Sequence, residues 1–177
     1  MSIHSGAPNG KYSKPREVRS FFAVHAAGSM FGLPVDSVQT IFRLQGVTPV
    51  PLGPPTVEGL VNLRGKIVTA VSLTRRLALD ETCKPEAPFA VAVDCRGETY
   101  ALVVDSVGDA MECAEDDRIE TPRHIDAGRA RATKAYYRVE NGILPVLDID
   151  ALFDLDLATA SPANQSGVGQ RQPGVVK

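Results

Sequence analysis

Apolar positions fall in short runs through the middle of the chain, and glycine or proline breaks them at close intervals. Phe22-Ala23-Val24 leads through His25 to a turn at Gly28, and Phe31-Gly32-Leu33 follows. Two apolar runs around a Gly-centred break read as a β-hairpin. The pattern then returns. Residues 22–38 align without a gap to residues 91–107, an offset of 69. Ala, Val, Gly, Leu, Val, Asp, Ser and Val recur at eight of the seventeen positions, and Phe31 matches Tyr100. Leu33 and Leu102, with Val35 and Val104, become equivalent core positions under this alignment.

A second pair, Ile67–Leu73 and Ile143–Ile149, lies at an offset of 76. Each member follows a glycine-bearing turn (Arg64-Gly65-Lys66 and Glu140-Asn141-Gly142) and leads into a short Leu-bearing segment that can turn helical, 74–79 and 150–153. The chain therefore reads as two versions of one β-rich unit. Pro49, Pro51, Pro54 and Pro55 keep the 48–56 link extended. A helix is expected near 126–135, where Ala and Arg dominate. Short strands with almost no long helical period predict a mainly β protein built of small barrels or a sandwich. Residues 1–18 and 158–177 are rich in small and polar residues without an apolar period, so they are expected to be flexible tails around a domain of residues 19–157.

Composition narrows the class. The 177 residues are 44% apolar and 23% charged, which suits a globular domain. Nineteen basic against twenty-one acidic residues give a net charge of −2, so no overall field draws the chain to nucleic acid or anionic lipid. No apolar stretch reaches the length of a membrane span, and no signal-peptide pattern opens the chain. Three widely spaced cysteines, Cys83, Cys95 and Cys113, suit reduced thiols in a cytoplasm.

Candidate chemistry is sparse. His4 lies in the first tail, His25 is expected to point outward from a strand, and His124 follows Pro122-Arg123 in a turn-like segment. None has a partner at a spacing that would make it a positioned general base. The zinc spacings C-x-x-C, H-x-x-x-H and H-E-x-x-H are absent, and the acidic residues lack the spacing of a calcium loop. Cys95 and Cys113 fall at strand ends where they could meet, though two thiols do not close a metal site. No catalytic residue, metal or cofactor is expected. One corner stands out: Gly65 permits a tight turn that would hold Arg64 exposed and rigid, and on the turn alone an ordinary solvated charge is the better reading. The equivalent turn of the second unit has no arginine.

Leu33-Pro34 with Val38-Gln39-x-Ile41, then Thr48-Pro49-Val50-Pro51, then Val57-x-Gly59-Leu60-Val61-Asn62-Leu63-Arg64-Gly65, resembles the CheW family of chemotaxis coupling proteins. Leu102-Val103-Val104-Asp105-x-Val107 and Gly142-Ile143-Leu144-Pro145-Val146-Leu147-Asp148 continue the resemblance in the same order. It implies two five-stranded SH3-like barrel subdomains packed around a shared core, with a few short helices, and no catalysis. It also implies a scaffold coupling the cytoplasmic tip of chemoreceptors to a CheA-type histidine kinase, with other CheW-like domains as ring partners and with recruitment from the cytoplasm to membrane-associated receptor arrays. Nucleic acid and direct membrane insertion are not implied. The protein-binding surfaces would lie at or near Arg64, Gly59 and Val38, together with Asn62, Leu63, Gly65 and Thr40. Thr40 stands where the family often has an acid, and Ser72-Leu73-Thr74 where it commonly has Asp-Leu-Arg, with Arg75 next. The alternative is a small β-barrel module, unrelated to chemotaxis, that binds a ligand or nucleic acid. The absence of tryptophan and of a basic stripe weighs against nucleic acid.

Overall fold

The computed structural model describes residues 16–80 and 87–154. The expected tails and Cys83 lie outside them, apart from Arg16-Glu17-Val18 at the inner end of the first tail.

Three hairpins set the local structure. They are β1 (Val18–Ala26) with β2 (Ser29–Pro34), β4 (Val57–Leu63) with β5 (Lys66–Ser72), and β6 (Phe89–Cys95) with β7 (Glu98–Val104). Each closes through two residues, Ala27-Gly28, Arg64-Gly65 and Arg96-Gly97, and all six take positive φ. That is the geometry of the I′ turn, whose twist matches the twist of the strands it joins. The fourth hairpin, β10 (Thr133–Val139) with β11 (Gly142–Leu147), turns differently: positive φ falls on Gly142 and not on Glu140-Asn141. β3 (Val38–Arg43), β8 (Ser106–Ala114) and the two-residue β9 (Arg118–Ile119) complete the strands.

Two sheets result, one of five strands in the order β3-β6-β7-β5-β4 and one of six in the order β8-β1-β2-β11-β10-β9. The chain is mainly β and forms the two expected subdomains, with β9 as an additional short edge in one of them. The sequence copies do not coincide with the subdomains. The first copy's hairpin β1–β2 joins the second copy's β10–β11 through a parallel contact of Gly32 with Val146. The second copy's hairpin β6–β7 joins the first copy's β4–β5, with Val71 opposite Leu102 in parallel. β1 likewise pairs with β8, and β6 with β3. Each subdomain is thus assembled from both halves of the chain.

This exchange produces a shared core. Val24 and Leu33 from one subdomain pack in a single cluster with Val91, Val93, Leu102 and Val104 from the other. Each subdomain also has a smaller cluster of its own, around Phe21, Tyr137, Leu144 and Val146 in one and around Val61, Val68, Ala70 and Ala101 in the other. Leu33, Leu102 and Val104 are buried as expected, but Val35 is 36% exposed. It sits in a 3-10 turn, Val35–Ser37, where the strand has ended and the two-residue period no longer points side chains inward.

The helices are short. α1 (Leu73–Arg76) and α3 (Ile149–Asp154) fall where the second repeat pair placed them. Their starts match across the offset of 76: Ser72 Oγ accepts from Arg75 N, and Asp148 Oδ1 accepts from Ala151 N at 3.0 Å. Both are side-chain N-caps three residues ahead of the donor. The helix expected over 126–135 is confined to α2 (Ala127–Arg131), capped by Asp126. The chain passes into β10 at Thr133 because Tyr136 and Tyr137 are buried as strand residues, and tertiary burial overrides local Ala and Arg propensity.

Candidate protein-binding surface

The β4–β5 hairpin is built to hold a rigid exposed end. Val61 and Val68 lie opposite one another and are buried, so their strand neighbours must point outward. Leu60 faces Thr69 and Asn62 faces Ile67, and these four residues share the outer face. Leu60 is 37% exposed and Ile67 59%. The Pro-rich loop adds Val50 and Leu52, the latter with positive φ and a fully exposed side chain. Loop and hairpin are tied together: Thr48 and Leu60 exchange backbone hydrogen bonds of 2.9 and 2.8 Å. Further on, Arg75 donates to Pro55 O at 3.1 Å and pairs with Glu58 at 3.3 Å.

At the tip, Asn62 Oδ1 accepts a 2.7 Å hydrogen bond from Gly65 N. Asp94 Oδ1 does the same for Gly97 N at 3.1 Å in the β6–β7 turn. The two turns therefore match, and each carries an arginine in the left-handed position. Arg96 is ion-paired to Asp154. Arg64 is exposed and makes no hydrogen bond or ion pair with the described residues.

The remaining expected site residues divide into two groups. Leu63 is half-buried against the inner cluster of its subdomain, and Gly65 is exposed beside Arg64. Gly59 is buried. Its φ is +152°, and a Cβ there would stand 2.4 Å from Thr48 O and 2.6 Å from Val47 Cγ1. Its part is to let the loop backbone lie against β4, which leaves it no side chain to offer a partner. Val38 and Thr40 are half-buried on β3, at the other end of the strand order, opposite Val93 and Ala92. Val38 packs against the shared core. Leu60, Ile67 and Leu52 were not singled out from the sequence as exposed apolar residues. For the first two a signal existed: the doublets Leu60-Val61 and Ile67-Val68 break the alternation of a half-buried strand, so one member of each must face water.

Groups with acid–base or thiol chemistry are scattered. Cys95 and Cys113 are buried in different clusters, so they do not meet. Burial, then hydrogen bonding to Asp150, pushes the Cys95 thiol up to about 11, and burial also raises Cys113. His25 is not the outward, solvated side chain expected. It is half-buried, and its Nδ1 is enclosed without a hydrogen-bond partner. Glu115 is held below the usual carboxylate range by hydrogen bonds from Arg118 and Tyr137. Among the described residues no three His, Cys, Asp or Glu side chains gather as metal ligands, and no helix is long and apolar enough to cross a membrane.

The chain thus carries an apolar hairpin face that ends in an arginine with no partner among the described residues, on two interlocked β subdomains. Residues 20–156 match the CheW-like domain, and the chain belongs to that family. It is 27% identical to a chemotaxis protein CheW of Treponema pallidum (strain Nichols) over 128 residues, 70% of this chain and 75% of that one. It is 23% identical to a chemotaxis protein CheW of Bacillus subtilis (strain 168), over 78% of this chain and 89% of the relative. Its fold is similar to the crystal structure of the scaffolding protein TtCheW from Thermoanaerobacter tengcongensis, with a TM-score of 0.70 and 21% identity over 78% of this chain and 94% of that one.

Proposed function

We propose that the chain is a non-catalytic scaffold of a chemosensory pathway, coupling chemoreceptors to a CheA-type histidine kinase. Membership of the CheW-like family supports the scaffold role. The observation that carries the binding surface is the contrast between Arg64 and Arg96. Two like turns present an arginine each, and one is tied to its own chain while the other is left to solvent beside Leu60 and Ile67. Arginine is enriched at interface centres, where other charged residues are depleted. Exposed apolar residues that share one face mark a contact site more often than chance exposure does.

In this reading Asn62 and Gly65 hold the tip, Gly59 and Leu63 support it from inside, and Arg64 reaches a partner carboxylate. Val38 and Thr40 belong to a separate contact at β3. The chain works in the cytoplasm and is recruited to receptor arrays through these contacts, with CheW-like domains of the kinase or of further copies as neighbours. Co-sedimentation with the kinase and receptor-bearing membranes tests the proposal. Ile67→Asp and Leu60→Asp are expected to remain folded and to drop out of the pellet. Undiminished sedimentation of both variants would remove the hairpin face from the binding surface.

A further inference from the structure

A cavity of about 440 Å³ lies on the subdomain that does not carry Arg64. Phe31 of β2 and Ile143 of β11 give it apolar walls, together with Ile125 from the loop before α2. His124 of the same loop, Arg129 of α2 and Tyr136 of β10 add polar groups. The volume is in the range of small-molecule sites, which are mostly apolar with a few converging polar groups.

Two features give this cavity a chemical preference. Its described lining contains no carboxylate. The Arg129 guanidinium makes no hydrogen bond or ion pair with the described residues, and the nearby Asp126 instead caps Gly128 N and Arg129 N through Oδ1 at 2.9 and 3.2 Å.

We propose that this cavity binds a small organic anion with an apolar body, its carboxylate or sulfonate held by Arg129. The apolar body lies against Phe31, Ile125 and Ile143. The site is additional to the coupling role and independent of the β4–β5 face.

The test uses the full chain, isotopically labelled, titrated with 1-naphthoate and with the neutral 1-naphthamide while amide NMR shifts are followed. Saturable naphthoate shifts are expected at residues 28–31, 124–133 and 141–145. Loss of a charge-assisted hydrogen bond makes Arg129→Gln bind naphthoate about tenfold more weakly, with naphthamide almost unchanged. Ile143→Asp, at an exposed wall position, keeps its fold and weakens both ligands several-fold, because a carboxylate replaces apolar wall. Shifts centred elsewhere, no saturation, or unaltered affinity in either variant would overturn the proposal. None of these outcomes bears on kinase or receptor assembly.

Discussion

The Arg76 guanidinium clasps the end of the opposite helix: Nε donates to Leu152 O at 2.8 Å, and Nη2 donates to Phe153 O at 2.9 Å. Arg76 lies in the first sequence copy and Leu152 in the second, and Arg76 is 7% exposed. The last carbonyls of a helix have no partner within it, so a buried helix end needs donors from outside. Here one planar fork supplies two, and its Cζ also lies 5.1 Å from the centre of the Phe153 ring. Arg76→Ala therefore leaves buried carbonyls unsatisfied and opens a void. The expected loss is about 2–4 kcal/mol in denaturant unfolding, with partial recovery in Arg76→Lys, which cannot reproduce the fork. A loss below about 0.5 kcal/mol would mean that the clasp is a surface contact.

Gly59 and Gly65 should answer differently to one methyl group. At Gly59 the added Cβ meets backbone at 2.4 Å as well as an unfavourable φ. At Gly65 nothing lies within 4 Å and only the φ of +91° opposes it. Gly65→Ala is expected to cost about 1–2 kcal/mol. Gly59→Ala should cost clearly more, about 3 kcal/mol, because the loop carrying Thr48 must move. Equal melting temperatures for the two variants would contradict the close approach.

Burial separates residues that the repeat made equivalent. Leu33→Ala and Leu102→Ala should each cost about 2–5 kcal/mol, since both side chains are fully enclosed in the shared core. Val35→Ala should stay within about 0.5 kcal/mol, unlike Val104→Ala at its repeat partner. Equilibrium unfolding of the four variants decides the matter. A large effect at Val35 would place it inside the core.

The hairpins were legible because their signal is local. A two-residue turn ending in glycine between apolar runs needs no knowledge of the rest of the chain. Pairing of β2 with β11 and of β5 with β7 was not legible, since parallel partners far apart leave no mark in either strand. For that reason the duplication could be read while its exchange between subdomains could not. Val35 failed for a related reason: an alignment transfers residue identity but not the point at which a strand stops. At the site, Asn62-Leu63-Arg64-Gly65 stood out as a motif, whereas the pairing of Arg96 that sets it apart from Arg64 depends on where Asp154 lies in space.

The buried thiol of Cys95 predicts a pH dependence. Its pKa is raised to about 11, first by burial and then by Asp150, whose Oδ1 lies 3.4 Å from the sulfur. An unfolded thiol titrates near about 8.5, so above that pH the native state binds more protons than the unfolded state. Stability is fully present below about pH 8.5 and falls as pH rises toward 11, with a slope of up to about 1.4 kcal/mol per unit from this group. Cys95→Ala should show a shallower decline over that window, measured by denaturant unfolding at several pH values. Identical slopes would mean that the thiol ionises as freely folded as unfolded.

The matched turns allow a controlled test of Arg64. Arg64→Glu and Arg96→Glu reverse the same charge at the same turn position and the same backbone conformation. Arg96→Glu disrupts an exposed ion pair with Asp154, which is worth at most about 1 kcal/mol, and should leave assembly intact. Arg64→Glu has no internal pair to lose and should melt within a few tenths of a kcal/mol of the parent chain. At an interface the same reversal places a carboxylate against a carboxylate, and losing one partner of a buried charge pair costs about 2–5 kcal/mol of binding. Arg64→Lys should retain part of the binding because it keeps the charge without the two-pronged geometry. The measurements are thermal melting and co-sedimentation with kinase and receptor for all three variants. If Arg64→Glu assembles as well as Arg96→Glu, the exposed arginine of the β4–β5 tip is a solvated turn residue and the binding surface lies elsewhere on the barrels.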